Sequence, residues 1–415
     1  MHGVPQGMTT PQRPRHPKAL RVRSYATAAP PRIVEYTYYA LLFYSMIAPS
    51  IGIFVPILAG GMLLVLAAFC VIRLGSRATA VYAPLRLLLA CAISFLVVEL
   101  MVHDASITES LPRAFITWIL ALIIIQSLYL RQGLLHRYAL ALFSLGLTTL
   151  PYLIVKGLGS GTMRDRVAVD RSAIAGDFNN SNGLGAWFGF YCLYFTIVSI
   201  ETKRNGVRVA SSLAAVGCLY VVGLSVSRGA LVATVIGITI AFRGLLKRGF
   251  VPLLVFIILS GIMYNCGVFD QIISHYTTRG VEDTGREAVW PIAIERILSS
   301  PLLGVGGANT ATYVPHAQKL VEPHNSFIYF ALSSGVLPFA LFVACWIRAA
   351  QNAFSYDEPL ADGPFRLPLL IYTLMNTLVG DLAFMAPWGI LTFVVAMASS
   401  TRYGGRGLVV YRVRR

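Results

Sequence analysis

Nearly uncharged apolar stretches about 20 residues long recur along this chain from Ile33 to Ala398, and they leave it few folds. That length crosses the hydrocarbon layer of a bilayer as a helix. Lipid offers no partner to a bare backbone N–H or C=O, so each stretch must satisfy its own hydrogen bonds. The segment Ile33–Leu74 holds two such spans, with a turn at Pro49–Gly52. Further spans fit Pro84–His103, Pro112–Leu130, Leu135–Val155, Gly183–Ile200, Val207–Val226, Gly229–Phe242, Phe250–Phe269, Ser326–Ile347, Leu367–Val379 and Ala383–Ala398. The expectation is an all-α integral membrane protein of about 12 transmembrane helices. Composition agrees: 13% of residues are charged, where a soluble domain carries about a quarter.

Charge then orients the chain. The net charge of +16 lies in short clusters between apolar spans, which is a topology signal and excludes a nucleic-acid groove. With the N-terminus inside and the loops alternating, Lys and Arg divide 24 inside to 10 outside, and Asp and Glu 5 to 13. Both termini are therefore expected in the cytoplasm. Residues 1–32 are rich in Pro and Arg and lack an apolar core, so they read as a disordered basic tail and not as a cleaved signal peptide. Residues 33–400 form a single membrane domain, and 401–415 a second basic tail. Two outer loops are long, 156–182 and 270–325, and long loops in compact proteins tend to be functional. The six cysteines are scattered singly and suggest neither a zinc site nor a disulfide framework.

The informative residues are those that defy the inside-positive rule. Arg164, Arg166, Arg171, Arg279, Arg286 and Arg296 fall in the long outer loops, and Arg228 in the tight outer turn Val226-Ser227-Arg228-Gly229. A guanidinium fork suits phosphate oxygens. The bland reading is a salt bridge to Asp165, Asp170, Glu282 or Asp283. It is weakest for Arg228, which has no acidic residue in the adjacent spans. Thr284 and Glu287 fit a capping box at the start of an amphipathic helix carrying Trp290, Ile294, Ile297 and Leu298, which could lie along the membrane interface. Arg286 would sit in its first turn, where the helix dipole favours an anion nearby. Pro301–Gly307 is glycine-rich but has no lysine of a phosphate loop, so a close-packed turn is expected. Pro323-His324-Asn325-Ser326 opens the tenth span. Asn325 or Ser326 can cap it, and its N–H groups would face an anion beside His324. The other outer histidines, His103, His275 and His316, read as solvated. No Asp-x-Asp pair stands in an outer loop to hold a metal beside a diphosphate, so the arginines would supply the electrostatics and no metal or other cofactor is expected.

Taken in order, Gly176–Asn182, Ser227-Arg228, Gly285-Arg286-Glu287-Ala288-Val289-Trp290, Pro301–Gly306 and His324-Asn325 followed by Gly335 resemble the O-antigen ligase and O-antigen polymerase family of bacterial membrane glycosyltransferases. The resemblance covers roughly residues 176–338, with Asn180 where the family usually has Pro. It implies a membrane glycosyltransferase (GT-C-like) architecture in the cytoplasmic (inner) membrane. It also implies a glycan donor on an undecaprenyl-diphosphate-type lipid and a glycan or glycolipid acceptor whose hydroxyl is modified at the outer face without a metal. By the same resemblance His324 is the general base, Arg228 and Arg286 hold the diphosphate, and Arg171 and Asn182 belong to the donor site, with Asn325 in support. A ligase would use a different acceptor, and a polymerase a second lipid-linked repeat. A transporter or flippase is the competing class. It would want ionisable residues near mid-membrane, whereas Glu99, Glu201 and Asp381 fall at span ends.

Overall fold

The apolar stretches fold as helices in the computed structural model, which describes residues 31–47, 56–74, 83–107, 109–129, 181–243, 286–314, 319–354 and 363–380 and short pieces between 258 and 277. In chain order the helices are α1 (Arg32–Ile47), α2 (Pro56–Leu74), α3 (Ala83–Met101), α4 (Ser110–Tyr129), α5 (Ser181–Glu201), α6 (Asn205–Leu224) and α7 (Arg228–Phe242). They continue as α8 (Arg286–Ser299), α9 (Ser326–Ser334), α10 (Val336–Phe354) and α11 (Gly363–Val379). A short antiparallel pair, β1 (Thr312–Val314) and β2 (Lys319–Val321), separates α8 from α9 with Tyr313 opposite Leu320. Among the described residues five helical segments are long and apolar enough to cross a membrane: Pro84–Met101, Leu111–Leu128, Asn182–Glu201, Asn205–Leu224 and Val336–Phe354. The chain is thus a mostly helical membrane protein. The expected spans Leu135–Val155 and Ala383–Ala398, and most of Phe250–Phe269, lie outside the described residues.

Two packing units carry the rest of the argument. In the first, α5 lies against α6, α7 and α11. Gly185 and Gly189, spaced four apart on α5, let the backbones approach closely. A Cβ at Gly185 would stand 2.6 Å from Ser225 Oγ, and one at Gly189 would stand 2.7 Å from Tyr372 Oη. Tyr372 Oη donates to Ala186 O across this contact. In the second, α3 packs on α4 and α10 around buried aromatic rings. Phe95 and Phe115 stack at 3.8 Å, and Phe330 of α9 meets Phe95 edge-on at 5.6 Å.

The expected tenth span, Ser326–Ile347, is not one helix. It breaks at Gly335, and α9 folds back along α10. Were the helix continuous, Phe327 and Phe342 would sit about 22 Å apart at 1.5 Å per residue; their ring centroids are 5.0 Å apart, and Phe330 to Phe342 is 4.4 Å. Gly335 takes φ +76°, and a side chain there would strike the carbonyl oxygen of Leu302. Only glycine fits on both counts.

Candidate functional site

The turn that presents Arg228 is built by serines. Val226 N–H donates to Gly223 O at 3.0 Å, Ser225 Oγ donates to Val222 O at 2.7 Å, and Ser227 N–H donates to Ser225 Oγ at 3.3 Å. Val226 is buried in the left-handed region at φ +51°, a costly place for a β-branched residue. Ser227 then stands as N-cap in extended conformation, and Arg228, half-buried, is the first residue of α7.

A similar arrangement opens α9. His324, half-buried, adopts φ +46°, and Asn325 follows in extended conformation as N-cap. The Asn325 side-chain oxygen accepts from Phe327 N–H at 2.9 Å and Ile328 N–H at 3.2 Å. This corrects one expectation: two of the N–H groups foreseen for an anion are occupied by the cap. Of the described non-glycine residues only Asp104, Val226 and His324 have positive φ. Two of those three immediately precede or form the Ser-Arg and His-Asn motifs, and local strain of this kind concentrates at functional sites.

These two helix starts meet at the end of α11. A Cβ on Gly229 would stand 2.6 Å from Val379 Cγ2, while Ser326 Oγ donates to Gly380 O at 3.0 Å. Consecutive residues of one helix end therefore touch the residue after Arg228 and the residue two after His324. Asn182, exposed in the first turn of α5, lies just ahead of Gly185, which packs on Ser225 and Ser227. From α8, Trp290 Nε1 donates to Pro323 O at 2.9 Å. Arg286 begins the same helix one turn earlier, so its backbone is delivered to the His324 end of α9. Asn182, Arg228, His324 and the start of α8 are thus brought together. Arg171, Arg164, Arg166, Arg279, Thr284, His275 and His316 lie outside the described residues.

Other candidates prove to be framework. Arg296 spends its guanidinium on the carbonyls of Asn309 and Ala311, the latter at 3.1 Å. His103, expected to be solvated, instead donates through Nε2 to Leu303 O at 3.0 Å, because the turn at 301–307 packs against the end of α3. That turn is close-packed as expected: Val305 and Gly306 N–H groups donate to Leu332 O and Ser333 O at 2.8 and 2.9 Å, closing the C-terminal end of α9. Glu99, read from sequence only as a span-end carboxylate, is buried in α3 and holds Gly307 N–H. A carboxylate inside an apolar stretch was the available signal.

The O-antigen ligase family model matches residues 213–343. The match runs from α6 into α10 and includes Arg228, Arg286, His324 and Asn325, so the resemblance read from the motifs holds. Over those residues this membrane protein is similar to the O-antigen ligase family, and the match supports a function of the ligase or polymerase type. No curated protein matches the chain.

Proposed function

We propose that the protein transfers a glycan from an undecaprenyl-diphosphate-type lipid to an acceptor hydroxyl at the outer face of the cytoplasmic membrane, without a metal. The observation that carries this reading is the meeting of two helix starts at Val379 and Gly380, one bearing Arg228 and the other His324. Sugar hydroxyls are weak nucleophiles at neutral pH. His324 removes the acceptor proton as the acceptor oxygen bonds to the anomeric carbon, and imidazole titrates in the range that task needs. As the bond from that carbon to the donor diphosphate breaks, charge gathers on the leaving phosphate oxygens. Arg228 and Arg286 receive it, in place of the metal for which the outer loops have no Asp-x-Asp pair. Asn182 and Arg171 flank the donor, and Asn325 holds the helix that carries the base. A ligase and a polymerase share these steps and differ in the acceptor.

The test uses the full-length protein in nanodiscs with excess chelator. Its substrates come from a detergent extract of deletion-strain membranes, which retains the accumulated lipid-linked donor and the native acceptor. Removing a general base costs about 10²–10⁴ in rate, so His324→Ala is expected to lose transfer while still binding donor. Recovery of the rate at saturating donor would instead make His324 a phosphate ligand, and abolition of wild-type transfer by chelator would end the metal-free claim.

A further inference from the structure

The carboxylate of Glu99 is buried near the end of α3, outside the region matched by the family model. Both oxygens accept from the backbone N–H of Gly307, at 2.9 and 3.0 Å, and Ser334 Oγ stands 3.5 Å from Oε1. Two residues past the end of α3, His103 Nε2 donates to Leu303 O at 3.0 Å. Glu99 and His103 therefore grip the 303–307 turn at its two ends. Between those points the turn gives its N–H groups to Leu332 O and Ser333 O, and Pro301 O accepts from Val336 N–H at 2.9 Å. Every one of these bonds lands on the last turn of α9 or the first of α10.

We propose that Glu99 is a positioning residue for the transfer reaction, setting through the 303–307 turn where α9 stands and hence where His324 is held. This rests on the reading of His324 as general base. The mechanical link is short. α9 has nine residues and spans about 13 Å, with its C-terminal end fixed by the turn and His324 just ahead of its N-terminus. A helix that short and that closely packed moves as one piece. A shift of about 1 Å at a reacting group costs about a hundredfold in rate. What matters in this scheme is the reach of the Glu99 side chain to Gly307, not its charge.

Two conservative variants separate reach from charge. Glu99→Asp keeps the charge and withdraws the oxygens by about 1.5 Å. Glu99→Gln keeps the reach and one acceptor oxygen. With protein in excess over the lipid-linked donor of the deletion-strain extract, single-turnover traces give a rate constant per competent molecule and an amplitude for the competent fraction. Glu99→Asp is expected to lower the rate constant roughly ten- to a hundredfold at full amplitude, and Glu99→Gln to stay within about threefold of wild type. The reverse order, equal rates in both variants, or a loss confined to amplitude overturns the proposal, since a merely structural role removes molecules without slowing the survivors. His103→Phe keeps a ring beside Gly306 and loses the bond to Leu303 O. It should slow the rate constant likewise, and it decides the matter if Glu99→Asp does not fold. His324→Ala run in parallel keeps the two claims apart: at wild-type rate it removes the base, whereas a slow His324→Ala beside unaffected Glu99 and His103 variants removes only the positioning.

Discussion

Arg228 and Arg296 are both arginines expected on the outer side, yet they sit in different surroundings. The guanidinium of Arg296 is committed to the carbonyls of Asn309 and Ala311, binding α8 to the start of β1. Arg228 opens α7 behind a strained valine, in the company of His324 and Asn182. Lysine keeps the charge but loses the fork that grips two oxygens. Arg228→Lys and Arg286→Lys are therefore expected to weaken donor binding and transfer at least about tenfold, from ~1.5–3 kcal/mol per charge-assisted bond. Arg296→Lys should lower the melting temperature and leave donor affinity near wild type. Donor affinity and thermal denaturation measured on the three purified variants decide this, and equal donor affinities across them would defeat the assignment. At this scale the sequence was legible where a residue broke a rule: Arg228, a cation against the inside-positive bias, opens α7, and Asn325, an Asn before an apolar run, caps α9. Glu99 broke the same rule of apolar spans. Its contact went unread because a carboxylate near a span end looks solvated until the turn that covers it, 208 positions away in sequence, is known.

Hydropathy located the helices well because burial in lipid and burial in the bundle impose the same composition; α3, α4, α5 and α6 fall within a few residues of the stretches read from sequence. It failed at Gly335 for the same reason. Both arms of the α9–α10 hairpin are apolar, so a window sliding across the break sees one span. Gly335 with Pro338 in the following first turn was the local signal, and it was weaker than the apolar run around it. The break makes a sharp prediction. Gly335→Ala forces a side chain into left-handed backbone and against Leu302 and Leu303, so it should cost at least about 2 kcal/mol and lower the melting midpoint accordingly. Gly217→Ala makes the comparison: this helical glycine of α6 has open space around it, and alanine there should be neutral or stabilise by up to about 1 kcal/mol. Thermal melts of the two variants in the same detergent test the break, which an unshifted Gly335→Ala midpoint would refute.

At the scale of the whole molecule, the site works only if it faces the compartment that holds its lipid-linked donor, and charge supplies the argument. The turn joining α5 to α6 and the far end of α7, both remote from Arg228, expose Lys203, Arg204, Arg208 and Arg243. Cations gathered at one end of a helical bundle are retained on the cytoplasmic side. Counted over the whole chain with alternating loops, the two faces carry +19 and −3. The opposite end, with Arg228, His324 and the β1–β2 pair, is on that rule expected to be extracytoplasmic. Two exposed described positions report on opposite faces: Tyr313 on β1 and Asn205 at the start of α6. In a cysteine-free background, a membrane-impermeant thiol reagent applied to intact spheroplasts should label Tyr313→Cys and spare Asn205→Cys, with both labelled once the membrane is permeabilised. Labelling of Asn205→Cys alone in intact cells would place His324 in the cytoplasm. An enzyme so oriented would meet its donor before export rather than after, and the acceptor assigned to it would have to be a cytoplasmic one.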